Sequence, residues 1–139
     1  MTTTTDFLIA IANELTETQP ESAFRWCIRG EIPNEEIDEN KNLIAVLHLT
    51  AQDEIIPRNK TLRLSCSLTG QVLVGEYTVE AIKREIELLE LHFNEYLLVA
   101  HFKEVEDAIL IEANANGVET STENLYLNFS IPCEIVAQF

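Results

Sequence analysis

The chain has 139 residues, 46% of them hydrophobic and 24% charged, and its 24 acidic against 9 basic side chains give a formal net charge of −15 at pH 7. That is enough chain for one domain with a real core, and the composition is too apolar for a disordered polymer. The sign of the charge opposes direct binding to nucleic-acid phosphates or to an anionic membrane surface, and no apolar run approaches the ~20 residues of a membrane span.

The start, Met-Thr-Thr-Thr-Thr-Asp, lacks the basic flank and cleavage site of a secretory signal, so a cytoplasmic protein is expected. Residues 1–5 read as a frayed threonine tail. Thr5 or Asp6 then caps a helix over 6–18, with Phe7, Ile11 and Leu15 on one face, Leu8 and Ala12 beside them, and Pro20 beyond its end. This helix contains no Lys or Arg, which sets it apart from membrane-surface and calmodulin-target helices. Ala23 to Ile32 alternates Phe24, Trp26 and Ile28 against Arg25, Cys27 and Arg29, a short strand ended by Gly30 and Pro33. The following stretch, 31–40, holds five carboxylates and no base and reads as an exposed loop. It lacks the mid-loop glycine of a calcium-binding EF-hand.

Leu43 to Thr50 is apolar on both phases, as a central strand covered on both sides would be, and 51–60 reads as a turn. From Thr61 to Val74 the even positions Leu62, Leu64, Cys66, Leu68, Val72 and Val74 are apolar. The odd positions Arg63, Ser65, Ser67, Thr69 and Gln71 are polar, with Leu73 the single exception. A period of two marks a half-buried strand. The phase survives Gly70, which favours a continuous or bulged strand over a hairpin turn there. The strongest helix follows over 78–93, its core stripe being Val79, Ile82, Ile86, Leu89 and Phe93. Thr78 serves as its cap, Tyr77 as a hydrophobic staple on Ile82, and Glu80 with Arg84 as an i, i+4 pair. At ~100° per residue, Ala81, Leu88 and His92 fall nearly opposite that stripe, flanked by Leu91. They are either scattered surface apolars or a partner surface.

Tyr96–Phe102 and Ala108–Ile111 read as two short strands and 112–124 as a surface loop. Alternation returns from Leu125 through Ala137, with Pro132 on the outward phase at an edge or bulge. The predicted fold is one α+β domain: a mainly antiparallel, twisted sheet of five to six strands with both helices on one face. The other face stays polar, as Arg63, Ser65, Ser67 and Thr69 require.

No cluster announces a reaction. Cys27, Cys66 and Cys133 are far apart and lie in apolar runs, the pattern of buried small hydrophobes rather than of a zinc site or a nucleophile. His48, His92 and His101 form no HxH or HExxH motif, and the turn before the second helix has neither GxGxxG nor a GKS/T ending. Neither catalysis, a cofactor nor a metal is therefore expected. Acidity of this degree commonly serves solubility, and otherwise suits a basic partner.

The order helix, strand, acidic loop, two strands, helix, closing strands resembles that of the tail-terminator and tail-completion (neck) proteins of long-tailed bacteriophages. The likeness is carried by Leu43-Ile-Ala-Val-Leu-His-Leu-Thr50, the alternating strand 61–74, the helix from Thr78 to Phe93 and the final strand 123–136. The strand pair read around 96–111 is an addition to that outline. The resemblance implies a non-catalytic homo-oligomeric ring, partners among tail-tube and connector proteins, and a place in the host cytoplasm or the virion. Leu88 and Leu91, with Ala81 and His92, would centre the self-association, and Glu85, Glu87 and Glu90 of one subunit would face Arg25, Arg29 or Arg58 of the next. The alternative from charge alone is an acidic decoy or inhibitor of a basic, nucleic-acid-handling protein.

Overall fold

A computed structural model describes residues 3–22, 24–31, 42–75, 77–98, 104–105 and 108–139. The first helix, α1 (Thr4–Glu17), starts earlier than its apolar spacing suggests because Thr3 and Asp6 form a reciprocal capping box. The Asp6 N–H donates to Thr3 Oγ1 at 3.1 Å, and the Thr3 N–H to Asp6 Oδ2 at 3.4 Å. Thr3 to Thr5 therefore belong to the cap and first turn and are not a frayed tail. The predicted stripe of Phe7, Leu8, Ile11, Ala12 and Leu15 is buried.

The strands are β1 (Trp26–Gly30), β2 (Leu43–Ile56), β3 (Thr61–Leu73), β4 (Glu104–Val105), β5 (Ala108–Ala115), β6 (Glu119–Glu123) and β7 (Tyr126–Gln138). A 3₁₀ turn, Pro57–Asn59, joins β2 to β3, and α2 (Val79–Leu98) follows β3. Among the described residues the strands form one seven-stranded sheet in the order β1-β2-β3-β7-β5-β4, with β6 also on β7. The sheet is mixed: β1 runs parallel to β2, and the other pairs are antiparallel. A parallel neighbour needs a return connection of about a dozen residues. The acidic stretch between Gly30 and Leu43 has that length, but residues 32–41 lie outside the description, and most of the predicted loop with them.

Register aligns the alternations into two faces. Leu47, Leu68 and Ile131 lie in one row, and Leu49, Cys66 and Cys133 in the next. This face and the apolar stripes of both helices form a single buried cluster, Val79 excepted, which is 38% exposed at the start of α2, so α1 and α2 cover the same side of the sheet. The opposite face carries His48, Ser65, Ser67, Thr69, Asn128 and Ser130, half-buried or exposed.

Several boundaries differ from the sequence reading. Residues 51–56 are strand rather than turn, because the alternating β3 supplies a ladder out to Ile56. The predicted strand from Tyr96 is, as far as Leu98, the last turn of α2. The predicted loop 112–124 contains the end of β5 and all of β6. Both pair with β7, β6 along its first half and β5 along its second, on either side of a break at 116–118. Pro132 sits opposite that break: the Asn116 N–H donates to its carbonyl at 3.1 Å. The N and O of a strand residue point to the same side, so the N–H that proline lacks would have faced the interruption. Gly70 is neither a bulge nor a turn. It lies in unbroken register between Ala45 and Phe129, and an added Cβ would meet the Ile44 carbonyl oxygen at 2.2 Å and Ala45 Cα at 2.8 Å. Glycine is there because β2 crosses too close for a side chain.

The helices also finish the margin of the sheet. Gln19, just past α1, accepts from the Trp26 N–H (2.8 Å) and donates to the Trp26 carbonyl (3.2 Å), and the Thr16 hydroxyl accepts from the Ile28 N–H (2.9 Å). On α2, Asn94 accepts from the Ala115 N–H (2.7 Å) and donates to its carbonyl (2.9 Å). Each amide side chain supplies the donor and acceptor that a further strand would have supplied.

Candidate functional site

The α2 residues singled out as a partner surface have different surroundings. Thr78 does cap the helix, its Oγ1 accepting from the Ala81 N–H at 3.1 Å, which leaves Ala81 half-buried in the first turn. Leu88 packs against the core, whereas Leu91 is 48% exposed among charged neighbours. His92 turns inward: its Nε2 lies 3.1 Å from Thr18 Oγ1 and its ring stands edge-on to Trp26 at 5.7 Å between centroids. Burial holds the His92 pKa below its ordinary value, against the opposing pull of Glu95. The helical wheel treats the core as one wall, but α2 meets the sheet on one side and the Thr18–Trp26 corner on another.

Glu85 is likewise no rim charge. It is buried, and its Oε1 accepts from Trp26 Nε1 at 2.8 Å and Ser22 Oγ at 2.7 Å, tying α2 to the approach to β1. Tyr77 stacks on Phe24 at 4.3 Å and so extends the same corner. Glu90 is half-buried, with one carboxylate oxygen enclosed and without a hydrogen-bond partner, while Glu87 is exposed. Of the three arginines proposed as its partners, Arg25 is exposed beside Asn42, Arg29 is buried on the outer face of β1, and Arg58 stands exposed on the 3₁₀ turn.

Cys66 and Cys133 face each other across β3 and β7 in the core, and burial pushes both thiols up to about 12. Each donates to a backbone carbonyl two residues earlier, so both stay protonated and behave as small hydrophobes. Among the described residues no three His, Cys, Asp or Glu side chains are grouped to hold a metal, and no helix is long and apolar enough to cross a membrane. The outer face carries a chain of polar contacts from His48 through Thr69 and Ser67 to Ser130, each step 3.0–3.2 Å. Beside Arg63, Glu134 closes a solvent-exposed ion pair at 3.1 Å.

Two surfaces stand out that the alternation did not reveal. Beyond Thr50 the outer half of β2 and the Pro57–Asn59 turn form an exposed arm along the edge of the sheet, paired on one side with β3, which itself stays in the sheet beside β7. Residues 51–60 are all exposed, with Ile55 (39%) and Ile56 (46%) near the tip and Arg58 and Lys60 on the turn. At the far end of β3, Leu73 (48%) pairs with Tyr126 (40%), and Leu125 (69%) occupies the β6–β7 turn. Leu73 was the available signal, being the one apolar residue on the polar phase. Ile55 and Ile56 gave none, because they lie where no alternation predicts a strand. Neither the protein-family models nor the curated proteins compared with the chain match it.

Proposed function

We propose that this protein is a non-enzymatic assembly component that self-associates, in the manner of the phage tail-terminator and neck rings its element order resembles, and that it contacts other tail or assembly proteins. The observation that carries the reading is the β2–β3 arm, the exposed outer half of β2 and its turn into β3, with two isoleucines near its tip. An edge segment whose side chains are all exposed gains little burial for the backbone order it requires. An arm bearing Ile55 and Ile56 is accounted for when a neighbouring subunit covers it. Sedimentation and light scattering across a concentration range test this. The expected result is a discrete species of several subunits, with closed particles visible by negative-stain electron microscopy. A strict monomer at high concentration would overturn it.

The net charge of −15 favours a second reading, an acidic decoy for a basic nucleic-acid-handling protein. A monomer that competes with duplex DNA for such a protein would put this reading in place of the first.

A further inference from the structure

We infer that self-association, on which this inference rests, is head-to-tail: the basic, isoleucine-bearing tip of the β2–β3 arm of one copy seats on the acidic, apolar β6–β7 end of the next. The two surfaces are chemically complementary. On the arm, Ile55 and Ile56 lie between the exposed Asp53 and Glu54 and the turn that carries Arg58 and Lys60, and neither cation forms an ion pair among the described residues. At the other end, Leu73, Leu125 and Tyr126 stand beside Glu123, with Glu119 four residues away along β6, both exposed. No Lys or Arg follows Lys103 in the chain, so the β5–β7 region carries carboxylates and no cation. In a strongly acidic protein, an unpaired basic tip finds its natural counter-charge on another copy.

Geometry assigns the contact to two copies. Arm tip and acidic end lie at opposite ends of β3, whose 13 residues at about 3.4 Å each separate them by roughly 40 Å. An arm therefore cannot reach its own counterpart. Register places the pieces on a common face: Ile56 is opposite Thr61, and Leu73 and Glu123 are each opposite Tyr126, all in phase with the outer positions Ser67 and Thr69. Next to this end, Thr69, Glu119, Ser121, Asn128, Phe129 and Ser130 border a shallow hollow of about 280 Å³. Pairing of two β2 edges is disfavoured, because the arm's edge strand is interrupted by two register shifts, between Leu49 and Ala51 and between Glu54 and Ile56. Two different surfaces in contact make a heterologous interface, which closes into a ring or continues as a filament.

The test uses two variants of the full chain, Ile56→Asp/Arg58→Glu on the arm and Leu73→Asp/Leu125→Asp on the acidic end, with circular dichroism as the folding control. Leu125→Ser replaces the second should it lose structure. Each variant alone is expected to be monomeric, with association weakened roughly tenfold or more per buried apolar side chain lost. Mixed one to one, they are expected to form a dimer and nothing larger, since one intact arm meets one intact end and both remaining surfaces are spoiled. A mixture that stays monomeric overturns the inference. So does an end variant that assembles like wild type while the arm variant does not, which would mean arm-to-arm contact. Wild-type protein that is itself monomeric removes the self-association reading and this contact together, whereas oligomers that persist in both variants remove only the contact.

Discussion

Replacing Gly70 by alanine should destabilise the fold strongly, although alanine ordinarily improves a strand by restricting the unfolded chain, by about 0.4–1 kcal/mol. The new Cβ would lie 2.2 Å from the Ile44 carbonyl oxygen and 2.8 Å from Ala45 Cα and Cβ. These are backbone atoms or are fixed to backbone, so no side-chain rotation relieves the overlap. β2 must move away by roughly an ångström in the middle of its longest ladder, where Leu43 to Leu49 pair continuously with Cys66 to Val72. Overpacking of this kind costs about 1–3 kcal/mol, and each weakened ladder hydrogen bond about 1 kcal/mol more. A net loss of about 2–4 kcal/mol corresponds to a fall in Tm of roughly 6–15 °C for a chain of this size. Thermal and urea unfolding followed by circular dichroism would measure it. Gly117→Ala is the control: nothing lies within 4 Å of its Cβ position, so only its φ of +96° carries a cost. Equal, small effects at the two positions would refute the close crossing of β2 and β3.

Glu85→Leu leaves the Trp26 indole N–H without its acceptor, while the Ser22 hydroxyl keeps the Phe24 carbonyl at 3.1 Å, and should cost about 1–3 kcal/mol, whereas Glu85→Gln, which keeps an acceptor oxygen, should cost well under half of that. Urea midpoints distinguish the two, and the emission of the single tryptophan should shift in the leucine variant. Because burial lowers the His92 pKa, the unfolded chain takes up its proton first on acidification. Stability should therefore decline as pH falls through about 6.5 and level off below the folded value, and His92→Gln should flatten that slope in urea midpoints between pH 7.5 and 5.5. Leu88→Asp should unfold or severely weaken the protein and Leu91→Asp should leave its Tm within a few degrees, since only the first packs on the core; similar effects from both would place them in one environment.

The strong periodicities were legible. The alternation of β3 and β7 fixes their buried faces, and the stripes of α1 and α2 name most of the helical core, because each such element is apolar on one side whatever its neighbours are. What the chain concealed depends on those neighbours. Ala51 to Glu54 has little β-propensity of its own, Glu119 to Glu123 has no apolar residue to mark a face, and both become strand because β3 and β7 present a ladder to them. Five residues of β1 cannot reveal a parallel partner. The surface read on α2 was divided by the Thr18–Trp26 corner, a contact between segments about 70 residues apart, while Leu73, present in the pattern as a lone violation, marks the end of the sheet where apolar side chains gather.

The amide side chains of Gln19 and Asn94 have a consequence for the direction in which this molecule can grow. A β-sheet left open at its margin is a template that accepts any extended segment, including another copy lying alongside. By filling the backbone positions at Trp26 and Ala115 with groups that end there, the helices make lateral addition compete with bonds already formed. Beyond Thr50, where β1 no longer flanks β2, the edge is guarded instead by the two register shifts of β2. Copies meeting end to end, as proposed above, would leave these margins untouched. Subunits joined that way trace a line or a circle instead of the sideways stacking that leads to amyloid.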